Sequence, residues 1–420
     1  MAYRSISKLF TFVIILLVIP LAISLSYFSI VKRNYPIKVG ILHSQTGTMA
    51  TSELPIIDAS LMAIEELNNR GGLLGRLIEP IVVDGASDWP TFAAKAEKLI
   101  VTDKVDAIFG CWTSASRKAV KPIVEKYDHL LFYPVQYEGL EDSQNIIYLG
   151  ATPTQQILPG VTWAFYNLGT TFFLVGSDYV FPRTANELIK NHIKLFNGKI
   201  VGEAYQPLGS TSFTEIVKEI MRLQPKVIIN TINGNSNNSF FKELRSAGIT
   251  PDKIPTMSFS IAEQDLEILG PRYLIGDYAA WSYFQSVDNL KNKAFVKRFK
   301  QKYGNNRVVS DPLEAAYCGI NLWAKAVKDA TTARVKEIKM RIKKQGYNAP
   351  EGIVYIDPNN NHTWKNVRIG KITENGQFTI VWSSQKAIRP VPFPIFYGRK
   401  NWDLFLEKLY EGWNKKWALE

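Results

Sequence analysis

Cysteine is nearly absent. Cys111 and Cys318 stand far apart in the 420-residue chain, so a disulfide framework is excluded and neither a CxxC pair nor zinc-ligand spacing occurs. Histidine is almost as scarce, with four in all. His129 falls at a strand entry, His192 on a helix and His362 in a turn, leaving His43 alone on a polar segment that follows a strand. An amide hydrolase built on Cys111 needs a base and an orienting group beside the thiol, and the histidines offer little toward one. No G-x-S-x-G, H-E-x-x-H or phosphate loop ending in GK[ST] is present, which removes the hydrolases, zinc proteases and nucleotide hydrolases that carry them. The formal charge is +12, yet no long Lys/Arg block accompanies it. A nucleic-acid binder shows a clustered basic stripe, so no nucleic-acid partner is expected. Nothing in these patterns asks for a cofactor or a metal, and no enzymatic activity is expected.

What is present is a globular composition, 46% hydrophobic and 21% charged, in a chain long enough for two α/β lobes plus extras. The amino terminus carries an unbroken apolar run over 9–31, closed by Lys32 and Arg33. A signal peptide has an apolar core of about 7–15 residues and a spanning helix needs roughly 20. Residues 1–35 are therefore expected to be a signal peptide or a membrane anchor, with the length of 9–31 favouring retention. The protein is expected to be periplasmic or extracytoplasmic. No cysteine near the end of the run permits a lipid anchor.

The chain is organised around 106–140, which reads as one βαβ unit. Buried strands are predicted at 107–110 and 130–133, with polar crests at 111–116 and 134–139. Strands of a parallel sheet are covered on both faces and read as short apolar runs, and the segments at their carboxyl ends are where open α/β sheets bind ligands. Both crests are thus expected to line one cleft. They offer Trp112, Tyr133, the hydroxyls of Thr113, Ser114 and Ser116, the Gln136 amide, and free N–H groups where the helix begins. That set suits a small, polar, largely uncharged ligand. Pro122 inside the intervening helix predicts an irregular first turn or a kink.

The same alternation begins at Pro36, with a helix predicted over 57–68 that ends at Gly71-Gly72. It restarts near Gln155, giving strands at 171–175 and 227–230 with crests at 176–182 and 231–236. After 283 three helices are followed by short strands and turn clusters. The expected fold is α/β, two doubly wound Rossmann-like lobes whose crests face one another. The first lobe is assigned 36–150 plus 284–346, the second 151–283 plus 347–395. Residues 396–420 form a tail with no assigned role, read as an edge wrapping or a peripheral helix.

The segments HSQTGTMA, NNRGGLLGR, GCWTSASRKAVKP, LFYPVQYEG, GSDYVFPR, NTINGNSN and SFSIAEQDL together resemble the substrate-binding protein of urea-type ABC transporters. The wider group is similar to the amide-sensing and branched-chain amino-acid-binding proteins of the type I periplasmic binding fold. The resemblance runs from about Pro36 to Pro394. It implies a three-stranded hinge between the lobes, closure on urea or a short-chain amide, and delivery to ABC transporter permease subunits. Carried over by position, it places Trp112, Ser114, Tyr133, Val135, Gln136, Tyr179, Thr231, Asn233 and Glu263 at the ligand. Asn235 departs from the family pattern, where aspartate is more typical of the urea group.

Urea is planar and neutral, with four N–H donors and one carbonyl acceptor, so a selective pocket needs acceptors, one or two donors and flat walls. Gln136 and Glu263 accept, Ser114 donates, and Trp112, Tyr133 and Tyr179 sandwich a plane. Plainer roles stand beside these: Trp112 and Tyr133 cap the sheet edge, Ser114 or Ser116 caps a helix, and Glu263 pairs with a surface lysine. A receptor that senses an amide and signals through a partner shares the same site, and the run 9–31 argues against a cytoplasmic one.

Overall fold

A computed structural model describes residues 35–419. Strand β1 (Ile37–His43) opens the first lobe and is followed by α1 (Ala50–Asn68), β2 (Ile78–Asp84), α2 (Trp89–Val101), β3 (Ala107–Gly110), α3 (Ser114–Lys126), β4 (Leu131–Tyr133) and β5 (Ile146–Tyr148). All five strands pair in parallel, in the order β2-β1-β3-β4-β5. The second lobe repeats this winding with α4 (Ile157–Asn167), β6 (Thr171–Ser177), α5 (Val180–Lys194), β7 (Lys199–Gln206), α6 (Thr214–Leu223), β8 (Val227–Thr231), α7 (Ser236–Ser246), β9 (Thr256–Ser258), α8 (Glu263–Leu269) and β10 (Tyr278–Trp281). Its parallel strands run β10-β9-β8-β6-β7, the same relative order as the first sheet.

The chain then returns with α9 (Leu290–Tyr303), α10 (Asp311–Ala330) and α11 (Val335–Arg341), followed by a small antiparallel sheet of β11 (Gly346–Ala349), β12 (Gly352–Ile356) and β13 (Thr363–Trp364). Strands β14 (Arg368–Ile372) and β15 (Phe378–Ser383) extend the second sheet in antiparallel sense, and α12 (Arg399–Gly412) ends the fold. The small sheet packs with the first lobe: Ala349, Val354 and Ile356 share a core with Phe109, Leu313 and Trp323. The sequence reading gave 347–395 to the second lobe. The return to that lobe instead comes at β14, because the apolar residues of β11 and β12 cover the first lobe's helices.

Strands that must be covered on both faces explain why the apolar runs were legible. One face of the first sheet packs against α1, α9 and α10, the other against α2 and α3, and the second sheet likewise divides two cores. Gly110 is required where β3 meets β1, since a Cβ there would lie 2.2 Å from the Leu42 oxygen. Helix α1 starts seven residues before the predicted 57, with Pro55 inside it. Helix α3 runs on through Pro122 with a regular first turn, capped by Thr113 Oγ1 accepting from the Ser116 N–H at 3.0 Å.

Three crossings join the lobes, between β5 and α4, β10 and α9, and β13 and β14. They are tied to one another. Lys365 Nζ donates to the Leu149 oxygen at 3.1 Å and pairs with Glu351 at 2.8 Å. Arg368 donates to the oxygens of Ser282 and Glu351, and the Ser282 and Tyr283 amides donate to Asp311 Oδ2 at 3.0 and 2.8 Å. Among the described residues no helix is long and apolar enough to cross a membrane. The run 9–31 lies outside them.

Candidate ligand-binding cleft

In both lobes the strand order reverses beside the first strand of the winding, between β1 and β3 and between β6 and β8. Crests beside a reversal splay apart and leave a crevice at the carboxyl edge. These crests carry Trp112 and Ser114 from the first lobe, and Tyr179, Thr231 and Asn233 from the second. Cys111 leaves β3 at φ +67°, a left-handed conformation that costs a residue with a side chain about 1–3 kcal/mol. The turn swings the chain so that Trp112 precedes the helix and Ser114 begins it.

A charged knot lies directly behind this crest. Arg117 is fully buried and donates to Glu138 Oε1 at 3.0 Å, to Glu141 Oε1 at 2.9 Å and to Ser114 Oγ at 3.0 Å. The Ser114 hydroxyl in turn donates to Glu138. The guanidinium lies 4.9 Å from the Tyr133 ring centroid and 4.5 Å from that of Tyr137. Lys118 reaches Glu141 at 3.2 Å and Tyr148 donates to it at 2.9 Å. Burial opposes charge here, but Glu141 and Glu138 hold Arg117 firmly protonated. Burial would likewise raise Glu141, and Arg117 and Lys118 override it and hold that carboxyl well below the usual range. Two cations face two carboxylates, so the knot carries no net charge.

The lobes are closed on one another. Gln136 Nε2 donates across the cleft to the Phe259 oxygen at 2.9 Å, and Thr51 Oγ1 donates to Asn235 Oδ1 at 3.0 Å. A Cβ on Gly234 would meet Met49 Sδ at 3.1 Å. Trp112, Tyr133, Val135, Gln136 and Tyr179 are each at most 4% exposed. Burial raises the Tyr179 phenol, and Tyr133, Glu138 and Arg117 all act on it from the opposite lobe. Gln136 Oε1 is buried without a hydrogen-bond partner. Against the crest that carries it runs the first crossing, where a Cβ on Gly150 would fall 2.0 Å from the Val135 carbonyl.

Residues 37–399 match the family described as periplasmic binding protein domain. The chain belongs to that family.

Its relatives among characterised sequences include Leu/Ile/Val-binding protein homolog 6 of Brucella abortus, 23% identical over 288 residues, covering 67% of this chain and 73% of that one. A shorter match, 35% identical over 124 residues, is to limonene hydroxylase of Geobacillus stearothermophilus. It covers 30% of this chain, which spans 23% of that protein's length. Among solved structures, a solute-binding protein of an ABC transporter from Rhodopseudomonas palustris, in complex with 4-hydroxybenzoate, superposes with a TM-score of 0.77. The two are 22% identical, and the match covers 84% of this chain and 98% of that one.

This periplasmic binding protein is a binder and not an enzyme, and the thiols agree with that. Burial pushes Cys111 up, with Glu53 adding to the effect, which is the reverse of what a nucleophile needs. His43 is engaged with Glu53 at 2.9 Å. Of the residues anticipated at the ligand, the structure sets Gln136 against Phe259 and Tyr133 near Tyr179 of the opposite lobe, with Trp112, Ser114 and Val135 on the same first-lobe crests. Thr231 is turned into its own lobe, donating to the Val175 oxygen at 3.1 Å and to Asn186 at 3.2 Å. Asn233 closes the same crest, its amide donating to the Thr231 oxygen at 3.1 Å while its N–H binds Ser177 Oγ. Glu263 is buried at the second crossing, accepting from the Gln285 N–H at 2.6 Å, and no surface lysine pairs with it among the described residues.

Arg117, Glu138 and Glu141 were missed by sequence reasoning. Their signal was present. Two charged residues stand inside LFYPVQYEGLE and one inside GCWTSASR, in crests otherwise made of apolar and hydroxyl groups.

Proposed function

We propose that the chain is an extracytoplasmic solute-binding protein that captures urea or a short-chain amide between its lobes and delivers it to the permease subunits of an ABC transporter, held at the membrane by 9–31. Family membership supports a binding role. The observation that carries the ligand class is the balance of unused capacity in the closed cleft. A buried acceptor without a partner lies there, Gln136 Oε1, whose amide nitrogen is already committed to Phe259. The buried Arg117 guanidinium is neutralised by Glu138 and Glu141. A carboxylate ligand such as the benzoate derivative of the Rhodopseudomonas relative finds no uncompensated cation at this knot. A neutral molecule rich in N–H donors meets acceptors and aromatic walls.

Thermal shift of the full chain in detergent against urea, formamide, acetamide, 4-hydroxybenzoate and leucine tests the reading. A ligand at a hundred times its dissociation constant stabilises the fold by about 2.7 kcal/mol. Stabilisation by the amides and not by the two acids is expected. Stabilisation by 4-hydroxybenzoate or leucine, with none by any amide, refutes it.

A further inference from the structure

After β15 the chain leaves the second sheet and runs back over the cleft. Its Pro392 oxygen accepts from the Leu140 N–H of the first lobe at 2.8 Å, and the approach needs Gly139, at φ +71°, because a Cβ there would sit 2.4 Å from that oxygen. Arg399, at the start of α12, pairs with Asp142 of the first lobe at 3.3 Å. The helix itself lies on the second lobe, burying Trp402 and Leu406 in its core. Past α12 the last residues form a bridge to the crest of β6. The Val180 N–H donates to the Trp417 oxygen at 2.9 Å, the Leu419 N–H donates to the Asp178 oxygen at 3.2 Å, and Ala418 faces Tyr179. The Trp417 ring meanwhile lies 4.5 Å from Lys118 Nζ on α3 of the first lobe. An open groove lined by Lys121, Glu125, Phe393 and Tyr410 runs along the outer side of these contacts, while beneath it Ala115 and Leu140 of the first lobe pack with Tyr179, Trp402 and Ala418.

We propose that residues 415–419 act as a clasp on the ligand site, with Trp417 as a positioning residue that fixes the Tyr179 crest and holds α3 of the opposite lobe, so that the tail sets how long the cleft stays closed. Two main-chain hydrogen bonds immobilise the segment on either side of Tyr179, and one cation–π contact joins that segment to the residue after Arg117. Opening the cleft pulls Lys118 off Trp417 or peels Trp417 off Val180. The inference rests on the reading that Tyr179 faces the ligand, but its first readout needs no ligand.

The test compares the full chain in detergent with Trp417→Ala and with a chain ending at Asn414, which keeps α12 and Trp413. Hydrogen–deuterium exchange across 112–118 and 176–181 without ligand reports the open fraction. Trp417→Ala should exchange about fivefold faster there than the parent, the factor for one lost cation–π contact, and the chain ending at Asn414, which also loses both main-chain hydrogen bonds, on the order of a hundredfold faster. With urea, the dissociation rate should rise by a similar factor while the association rate is unchanged, a split that general destabilisation does not produce. If Trp417→Ala does not fold, the chain ending at Asn414 decides. Parental exchange in the folded variant overturns the clasp. Faster exchange with no urea binding by any form upholds the clasp and refutes the urea reading.

Discussion

Replacing Gln136 by leucine separates the two jobs its side chain performs. Its nitrogen bonds the Phe259 oxygen at 2.9 Å across the cleft, and its oxygen is buried with no partner. Loss of the first bond does not orphan Phe259, because Gln156 Nε2 also donates to that oxygen at 3.2 Å. The cost to closure is therefore that of one ordinary hydrogen bond, about 1 kcal/mol, felt by every ligand. Loss of the oxygen acts only on a ligand whose N–H pointed at it, and leaving such a donor buried and unpaired costs about 1–3 kcal/mol more. Acetamide carries a methyl group where urea carries its second amine. Leucine should then weaken acetamide about fivefold and urea roughly 30- to 1,000-fold, erasing the preference of the parent for urea. Calorimetry with both ligands on both proteins measures this. Equal weakening of the two ligands refutes the role given to Oε1, and tighter binding of acetamide than urea by the parent protein refutes the ligand order.

Trp112→Ala should weaken urea and acetamide alike, by about tenfold, since a flat wall stacks on either; a change in their ratio, read by the same calorimetry, counts against a shared platform. Arg117→Met leaves Glu138 buried without a cation and Glu141 with Lys118 alone, and should cost about 3–5 kcal/mol of stability, whereas a loss under 1 kcal/mol in thermal melts would show that the knot is solvated. Stability should fall on both sides of mildly acidic pH. Burial pushes the Glu263 carboxyl up to about 8, partly offset by the Gln285 N–H. Its folded value lies above the usual one, so its contribution is full below about pH 4 and is lost as pH rises through the folded value. Glu141 is held low, so its contribution is present at neutral pH and is lost as pH falls into the acid range. Glu263→Gln should flatten the alkaline fall of the melting temperature and leave the acid fall unchanged; an unaltered alkaline limb would place the effect elsewhere.

The elements most legible in the sequence were those whose burial is dictated by the sheet alone. AIFG at β3 and VIINT at β8 are covered on both faces and read as strands at once. Strands β5, β9 and β11, of three or four residues, were not seen, since runs that short resemble loop segments and owe their pairing to neighbours distant in sequence. The aromatics and Gln136 could be placed at the cleft because a crest follows every strand of a parallel sheet. Arg117 and Lys118 could not. Helical periodicity puts them on a polar face, and polar faces are usually solvated, but here the 134–141 crest and the tail cover the first turn of α3, so that Ser114 through Lys118 are all buried. Glu263 also follows a strand, but one of its oxygens is committed to the Gln285 N–H of the second crossing, a partner the sequence alone does not reveal.

The threefold crossing also orders assembly in time. The first lobe's sheet is finished by Tyr148, yet one of its faces, with Phe109 and Phe132 upon it, waits for Phe295, Leu313 and Trp323, which lie far downstream. The five parallel strands of the second lobe are complete by Trp281, before any of those covering residues is made. A growing or translocating chain must therefore carry a bare aromatic surface through the synthesis of an entire intervening domain. Cleaving the chain between β10 and α9 would leave the amino-terminal piece with one face of its first sheet covered by α1 alone. The protein has two lobes but a single folding unit.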